Sequence, residues 1–259
     1  MNVIAVIPAR MGSSRFPGKP LAPIAGIPMI GHVWKRTALA LGQDNTWVAT
    51  CDREIFDYIE SVGGHAVMTA DTHERCTDRT AEAMLKIEAH TGRADVVVMV
   101  QGDEPLVTPE MIRQAVAPFE ADPAVQVVNL MGDLQTREEH DDPNEVKVVV
   151  DLAGNALYFS REPIPSWKKG ARHVPMYKQV CIIPFRRDFL LTFNRLAPTP
   201  LEEVESVDML RLLEHGYKVR MVHTGGRNIG VDTARDLAVA EALMAEDPIF
   251  PAYARELGS

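Results

Sequence analysis

The chain has 259 residues, 46% of them hydrophobic, and a formal net charge of −9. That length suits one large α/β domain or two unequal lobes, the apolar content supports a sizeable core, and the acidic balance argues against general nucleic-acid binding. Any anion site must then be a local basic island in an acidic protein.

Residues 2–9, NVIAVIPA, form a continuous apolar run of the kind found in buried parallel strands. A loop rich in glycine, serine and cations follows. Helical spacing with a terminal glycine marks 29–42. Residues 46–50 read as strand, 53–63 as helix, 65–70 as a third strand and 80–92 as a helix ending in glycine. The run DVVVMVQGDEP, residues 95–105, is the strongest strand signal in the chain. Residues 108–123 open with a Thr-Pro helix start and carry an apolar stripe. This alternation predicts a parallel sheet covered by helices on both sides.

From about residue 125 the pattern changes. Strands are expected at 125–131, 145–151, 156–160, 179–185 and 218–224, with fewer helices between them. Antiparallel pairs or an edge extension are expected there. Helices are predicted at 204–216 and 233–247. No internal repeat, low-complexity tract or linker stands out. Cys51, Cys76 and Cys181 form no CxxC pair and no spaced Cys/His cluster, which argues against structural zinc and suits a reducing compartment. The N-terminus reads as a strand rather than a leader peptide, and no apolar run reaches 18 residues. A cytoplasmic protein without membrane or nucleic-acid partners is expected.

Three charged clusters fall where an open α/β sheet collects ligands, at the carboxyl ends of strands. In IPARMGSSRFPGKPL, residues 7–21, Gly12 and Gly18 let backbone N–H groups approach an anion, Ser13 and Ser14 add hydroxyls, and Arg10, Arg15 and Lys19 add charge. The GxxxxGK[ST] phosphate loop is absent, because Gly18 comes six residues after Gly12 and Pro20 follows Lys19. A polar surface turn is the competing reading. In VQGDEP, Asp103 and Glu104 end the strand; a carboxylate there suits Mg²⁺, which takes oxygen ligands, or caps the helix that starts near Pro109. In NIGVDTARDL, Asp232 or Thr233 is the expected cap of the last helix, with Asp236 toward solvent. Asp232 gains interest as a partner of Asp103 around a metal.

Two further stretches are dense in charge. THERCTDRTAE, residues 72–82, sets His73, Arg75, Asp78 and Arg79 before a helix, with Thr77 or Asp78 as the expected cap and Arg79 placed to look inward at a phosphate. Lys147 and Arg161 lie on or beside strands and are expected to face either a ligand or solvent.

Taken in order, IPARMGSSRFPGKPL, VQGDEPL, DPNEVKVVVD, YFSREPIP and GVDTARDL resemble the CMP-sugar-acid synthetases, and among them the 3-deoxy-manno-octulosonate (Kdo) cytidylyltransferases. The resemblance covers nearly the whole chain. It implies a Rossmann-like, GT-A-like α/β nucleotidyltransferase sandwich, with a mixed, mostly parallel sheet and a smaller antiparallel extension. It implies one domain over 1–259, in which about 1–124 handles the nucleotide and about 125–259 the sugar acid and dimer contact. CTP and Mg²⁺, a homodimer, and transfer of CMP to the anomeric hydroxyl of a 2-keto-3-deoxy sugar acid with release of pyrophosphate are implied as well, for lipopolysaccharide or capsule synthesis.

Carried over by position, Ala9, Arg10, Gly12, Ser13, Ser14, Arg15 and Lys19 resemble the triphosphate loop and Arg79 the arginine beside the nucleotide. Gln101 resembles a residue that meets both the nucleotide and the sugar, Asp103 and Asp232 the metal carboxylates, and Arg161 and Glu205 residues of the sugar side. Arg15, Lys19, Asp103 and Asp232 would carry the catalysis. The departures fall on the sugar side. Arg75 and Cys76 stand in RCTDR where the family commonly has SGTDR, and Gln179 and Cys181 stand where histidine and glycine are common. They point to an acceptor substituted differently from Kdo. Another acidic acceptor, such as a nonulosonate-like sugar or a phosphonate, and a non-catalytic nucleotide-binding homologue are the alternatives. Intact Asp103, Asp232, Arg15 and Lys19 favour an enzyme.

Overall fold

The computed structural model describes residues 1–12, 15–166, 175–226 and 228–258. The chain divides into two compact units, Met1–Arg113 with Asn228–Ser259, and Gln114–Arg227.

The first unit is built on β1 (Val3–Ala9), which is buried along almost its whole length. A small hairpin of β2 (Pro23–Ile24) and β3 (Ile27–Pro28) leads into α1 (Met29–Leu41). Then come β4 (Thr46–Thr50), α2 (Arg53–Ser61), β5 (His65–Met68), α3 (Cys76–Thr91) and β6 (Val96–Val100). β1 pairs in parallel with β4 on one side and β6 on the other, and β5 extends the β4 side, again in parallel. All of β6 is buried, as its unbroken VVVMV run requires of a strand covered on both faces. Because β1 and β6 are neighbours running the same way, the loops at 10–19 and 101–105 leave the sheet side by side.

α3 starts at Cys76, earlier than its apolar stripe announces, because its first turn buries polar Thr77, Arg79 and Thr80. The first unit ends within α4 (Pro109–Ala121), whose N-terminus is capped by Thr108: its Oγ1 accepts from the Met111 N–H at 3.1 Å.

The second unit holds β7 (Val128–Asp133), α5 (Arg137–Asp141), β8 (Lys147–Val150), β9 (Ala156–Ser160) and β10 (Tyr177–Val180). β11 (Ile182–Arg186), α6 (Arg187–Phe193), α7 (Pro200–Glu205), α8 (Met209–Glu214) and β12 (Arg220–His223) follow. Its sheet runs β12-β7-β10-β8-β9; β12 is parallel to β7 and the other pairs are antiparallel. Two elements differ from the sequence reading. The strand expected at 179–185 divides at Cys181, so that β10 pairs with β7 and β8 while Phe185 of β11 bridges to Val127. The helix expected at 204–216 is two short helices, separated by Ser206 at φ 53°. The buried Glu202 carboxylate accepts both Arg211 Nε (2.7 Å) and Nη2 (2.6 Å) and ties α7 to α8.

The chain returns to the first unit as α9 (Ala234–Ala245) and α10 (Ala254–Leu257). Ile24, Met29, Leu106, Val231, Ala240 and Met244 form one buried cluster, with Phe16 and Phe250 packed against it. A buried polar chain also fixes the C-terminus to α1. Arg36 Nε donates to the Tyr253 hydroxyl at 2.9 Å, and that hydroxyl lies 2.8 Å from His32 Nδ1. His32 Nε2 lies 2.9 Å from the Ile24 carbonyl, which can only accept, so Nε2 carries the ring proton and Nδ1 accepts from Tyr253. Burial pushes the His32 pKa down to about 4. No helix among the described residues is long and apolar enough to cross a membrane.

Candidate active site

β1 hands the chain at Ala9 to a loop closed at its base. The Gly18 N–H donates to Met11 O at 3.1 Å, and Gly18 sits at φ 75°, a conformation that glycine takes without steric cost. Asp52 Oδ2 accepts from the Met11 N–H at 2.8 Å. Beyond β6, a Cβ on Gly102 would stand 2.9 Å from Pro8 O and 3.2 Å from Ala9 Cβ. Only a bare glycine lets the turn press against the end of β1, and this sets Asp103 on the rim. The third segment is stapled to the second: the Val231 N–H donates to Asp103 O at 2.9 Å, and Asn228 Nδ2 donates to Glu104 Oε2 at 2.7 Å. Val231 is fully buried, worth about 2 kcal/mol, and its neighbour Asp232 is thereby held at the same rim.

Lys19 joins the three segments. Its Nζ donates to Asp103 Oδ2 at 2.8 Å, to Val231 O at 2.7 Å and to Asp232 Oδ1 at 3.2 Å. Arg15 Nη2 lies 3.1 Å from Asp232 Oδ2. Burial works against the Lys19 charge, but the Asp103 and Asp232 carboxylates outweigh it and raise its pKa above the ordinary lysine value. Neither carboxylate caps a helix. Thr108 caps α4, and the N-cap of α9 is Thr233, whose Oγ1 accepts from the Asp236 N–H at 3.3 Å. Asp236, expected toward solvent, reaches back instead to accept from the N–H groups of Thr233 (2.8 Å) and Asp232 (3.0 Å). This capping box leaves the Asp232 carboxylate for other work.

These groups line a cavity of about 270 Å³, together with Ala9, Arg10, Gly12 and Gln101. Its far wall is the start of α3, where Arg75, Cys76 and Arg79 face it. Arg75 occupies the N-cap position, so neither Thr77 nor Asp78 caps this helix. Arg79 is only 3% exposed; its Nη1 donates to Thr69 Oγ1 and Ala70 O, while Nη2 has no hydrogen-bond partner among the described residues. A buried guanidinium N–H without an acceptor is costly until an anion reaches it. Nearby, burial works to raise the Glu82 pKa, but hydrogen bonds from Lys86, the Ala70 N–H and His73 hold it down to about 2. Among the described residues the cavity wall carries five Lys or Arg side chains against three carboxylates, the basic island that the acidic composition demands. Ser13 and Ser14 lie outside the described residues.

The Asp103 and Asp232 carboxylates come from separate segments to one ammonium, and no third histidine, cysteine or carboxylate joins them among the described residues. Two carboxylates supplemented by phosphate and water oxygens are what Mg²⁺ ordinarily takes, so the residues present fit that ion. The Lys19 ammonium marks the point where they stabilise positive charge.

The second unit carries its own polar cluster. Glu205 accepts from the Arg161 N–H (2.7 Å), Ser160 Oγ (2.9 Å) and Tyr158 Oη (3.2 Å), and Arg161 Nε donates to Glu205 O at 2.7 Å. Arg161 and Glu205 are thus brought together. Tyr158 and Ser160 were not singled out from the sequence, although their spacing of two on a strand puts both hydroxyls on one face. Gln179 has a different partner, with Nε2 donating to Asn129 Oδ1 at 2.6 Å. Lys147 does not face solvent. It is buried, donating to Asp142 O (2.7 Å) and Arg161 O (2.5 Å), and burial lowers its pKa.

Residues 4–221 match the family described as cytidylyltransferase. The chain is 45% identical, over 92% of its own length and 95% of the other's, to the 3-deoxy-manno-octulosonate cytidylyltransferase of Geobacter metallireducens. It is 42% identical to the 8-amino-3,8-dideoxy-manno-octulosonate cytidylyltransferase of Shewanella sediminis, over 95% of this chain and 100% of that one. A solved structure of CMP:2-keto-3-deoxy-manno-octonic acid synthetase complexed with CTP aligns with a TM-score of 0.87 at 39% identity, over 95% of this chain and 99% of that one. Likeness of this extent, across nearly the full length of both chains in every pair, makes this protein a member of the cytidylyltransferase family.

Proposed function

We propose that the chain transfers CMP from CTP to the anomeric hydroxyl of a 2-keto-3-deoxy sugar acid, with Kdo as the first choice, and releases pyrophosphate. The observation that carries this reading is the cavity at the ends of β1 and β6, where cations surround a carboxylate pair that fits Mg²⁺. Arg10, Gly12, Ser13, Ser14, Arg15 and Lys19 receive the β- and γ-phosphates. Arg79 offers its open Nη2 to a phosphate oxygen. Cations gathered around the bound triphosphate before charge builds on the leaving pyrophosphate lower the barrier. Asp103 and Asp232 would hold Mg²⁺, which supplies Lewis-acid polarisation of phosphoryl oxygens and a lower pKa for a bound hydroxyl. The sugar hydroxyl attacks the α-phosphorus, and no protein nucleophile takes part. The family resemblance assigns Gln101, Arg75, Arg161, Glu205 and Gln179 to the acceptor by sequence position; the Arg161 guanidinium matches a sugar-acid carboxylate in charge. Family likeness also supports a cytoplasmic homodimer serving lipopolysaccharide or capsule synthesis.

Pyrophosphate release from CTP with one sugar acid at a time tests the reading. Acceptor-dependent release with Kdo is expected, and no release with any 2-keto-3-deoxy acid sinks it. The Shewanella sediminis relative favours a second reading, in which the acceptor is an 8-amino sugar. The Geobacter metallireducens relative, at 45% identity against 42%, ranks plain Kdo first. With equal amounts of both acids and limiting CTP, a predominant CMP-Kdo product rejects the second reading, and a predominant amino-sugar product replaces the first.

A further inference from the structure

A lysine ammonium has three N–H donors. Lys19 uses all three inside the protein, on Asp103 Oδ2, Val231 O and Asp232 Oδ1, and its side chain is only 13% exposed. No donor is left for a phosphate. A divalent cation held by Asp103 and Asp232 would also compete with the ammonium for the same oxygens and repel it. The arrangement is therefore not the one that works on CTP.

We propose that Lys19 is an internal counter-ion that holds the carboxylate pair together before metal binds, and that a divalent cation expels its ammonium, making it available to the triphosphate. The inference rests on the reading of Asp103 and Asp232 as the metal-holding pair. The geometry favours a movement of the side chain alone. The backbone at Lys19 is fixed by its N–H to Phe16 O at 3.3 Å and by the buried Pro20 beside it. Asp232 also meets Arg15, but that side chain is 52% exposed, so its hold is the weaker one. The exchange couples the two ligands: metal frees a phosphate-binding group, and by reciprocity the nucleotide, by taking Lys19, strengthens metal binding.

The test follows Lys19 directly. Protein without nucleotide is treated with an amine-acetylating reagent, and modification is quantified by peptide mass spectrometry with and without Mg²⁺. Mg²⁺ is expected to raise Lys19 labelling several-fold and leave the exposed Lys218 unchanged, and CTP is then expected to lower Lys19 labelling again. In parallel, Mn²⁺ is titrated by electron paramagnetic resonance without nucleotide. Lys19→Met is expected to bind it about tenfold more tightly or better than wild type, the scale of one charge-assisted competitor removed, and Arg15→Met is expected to change affinity less. Lys19 labelling that ignores Mg²⁺, or Mn²⁺ affinity in Lys19→Met no tighter than wild type, overturns the exchange. Should that variant fail to fold, the labelling of the wild type decides alone. Failure of the parent reading looks different: Asp103→Asn would bind Mn²⁺ as wild type does. Metal binding lost in Asp103→Asn with unmoved Lys19 labelling defeats only the exchange.

Discussion

Acidification is expected to loosen the C-terminal anchor before it reaches most carboxylates. His32 is fully buried between α1 and Tyr253, and its pKa is pushed from the ordinary 6.5 to about 4. In the unfolded chain the same ring takes a proton below its ordinary value. Between the two values the unfolded state binds a proton that the folded state refuses, so stability falls as pH falls. The stabilisation is complete above 6.5 and is lost progressively down to about 4. A gap of about 2.5 pH units, at about 1.36 kcal/mol per unit, amounts to about 3 kcal/mol. Protonation would also set a second donor against the Tyr253 hydroxyl, which already accepts from Arg36. The assay is urea unfolding at steps from about pH 7 to about pH 4 for wild type and His32→Gln. The wild type is expected to lose about 3 kcal/mol more than the variant over that range. Glu82, held down to about 2, contributes stability that is lost only in the lower window from 4.5 downward, so the two groups separate. Parallel stability curves for wild type and His32→Gln would refute the reasoning.

Asp232→Asn is expected to collapse turnover with little change in melting, whereas Thr233→Ala removes the cap of α9, costs about 1 kcal/mol of stability and leaves kcat near wild type. Melts and kinetics on both variants check the division, and an early-melting but active Asp232→Asn contradicts it. Gly102→Ala brings a Cβ within 2.9 Å of Pro8 O, so the rim must shift. A loss of about tenfold or more in kcat/KM is expected from the displaced Asp103, and unchanged kinetics would remove the glycine from the account. Arg79→Met is expected to raise KM for CTP by about tenfold or more, because a charge-assisted contact to phosphate is lost. Arg79→Lys is not expected to restore it, and an unchanged KM in folded protein refutes the assignment.

The parallel core was legible because β1 and β6 are unbroken apolar runs, each followed by a glycine-bearing loop, a pattern that survives without knowledge of partners. The places where reading failed have physical causes. Ser206 takes a left-handed conformation with no glycine to announce it, so 204–216 reads as one helix. The division at Cys181 depends on which neighbours β10 and β11 pair with, and apolar alternation says nothing of that. Lys147 is satisfied by two backbone carbonyls, which leave no mark in the side-chain sequence. In the site itself, the loop, the VQGDEP turn and the Asp232 segment were each visible by type. Their meeting at the Lys19 ammonium was not, since Asp103 and Asp232 lie 84 and 213 residues away along the chain and one acceptor is a main-chain oxygen. That Asp232 is not the cap follows from Thr233 and Asp236 taking that role, a T-x-x-D spacing that the sequence does display.

The central claim is that the α-phosphorus of CTP is transferred to a sugar acid while the other two phosphates leave together. Phosphorus NMR of CTP, Mg²⁺, Kdo and the protein in one tube tests this most directly. A phosphodiester resonance and a pyrophosphate resonance are expected to grow in equal amounts, only when Kdo is present, and not with Asp103→Asn. Release of orthophosphate with CDP, or pyrophosphate formed with free CMP whether or not Kdo is added, would contradict the account.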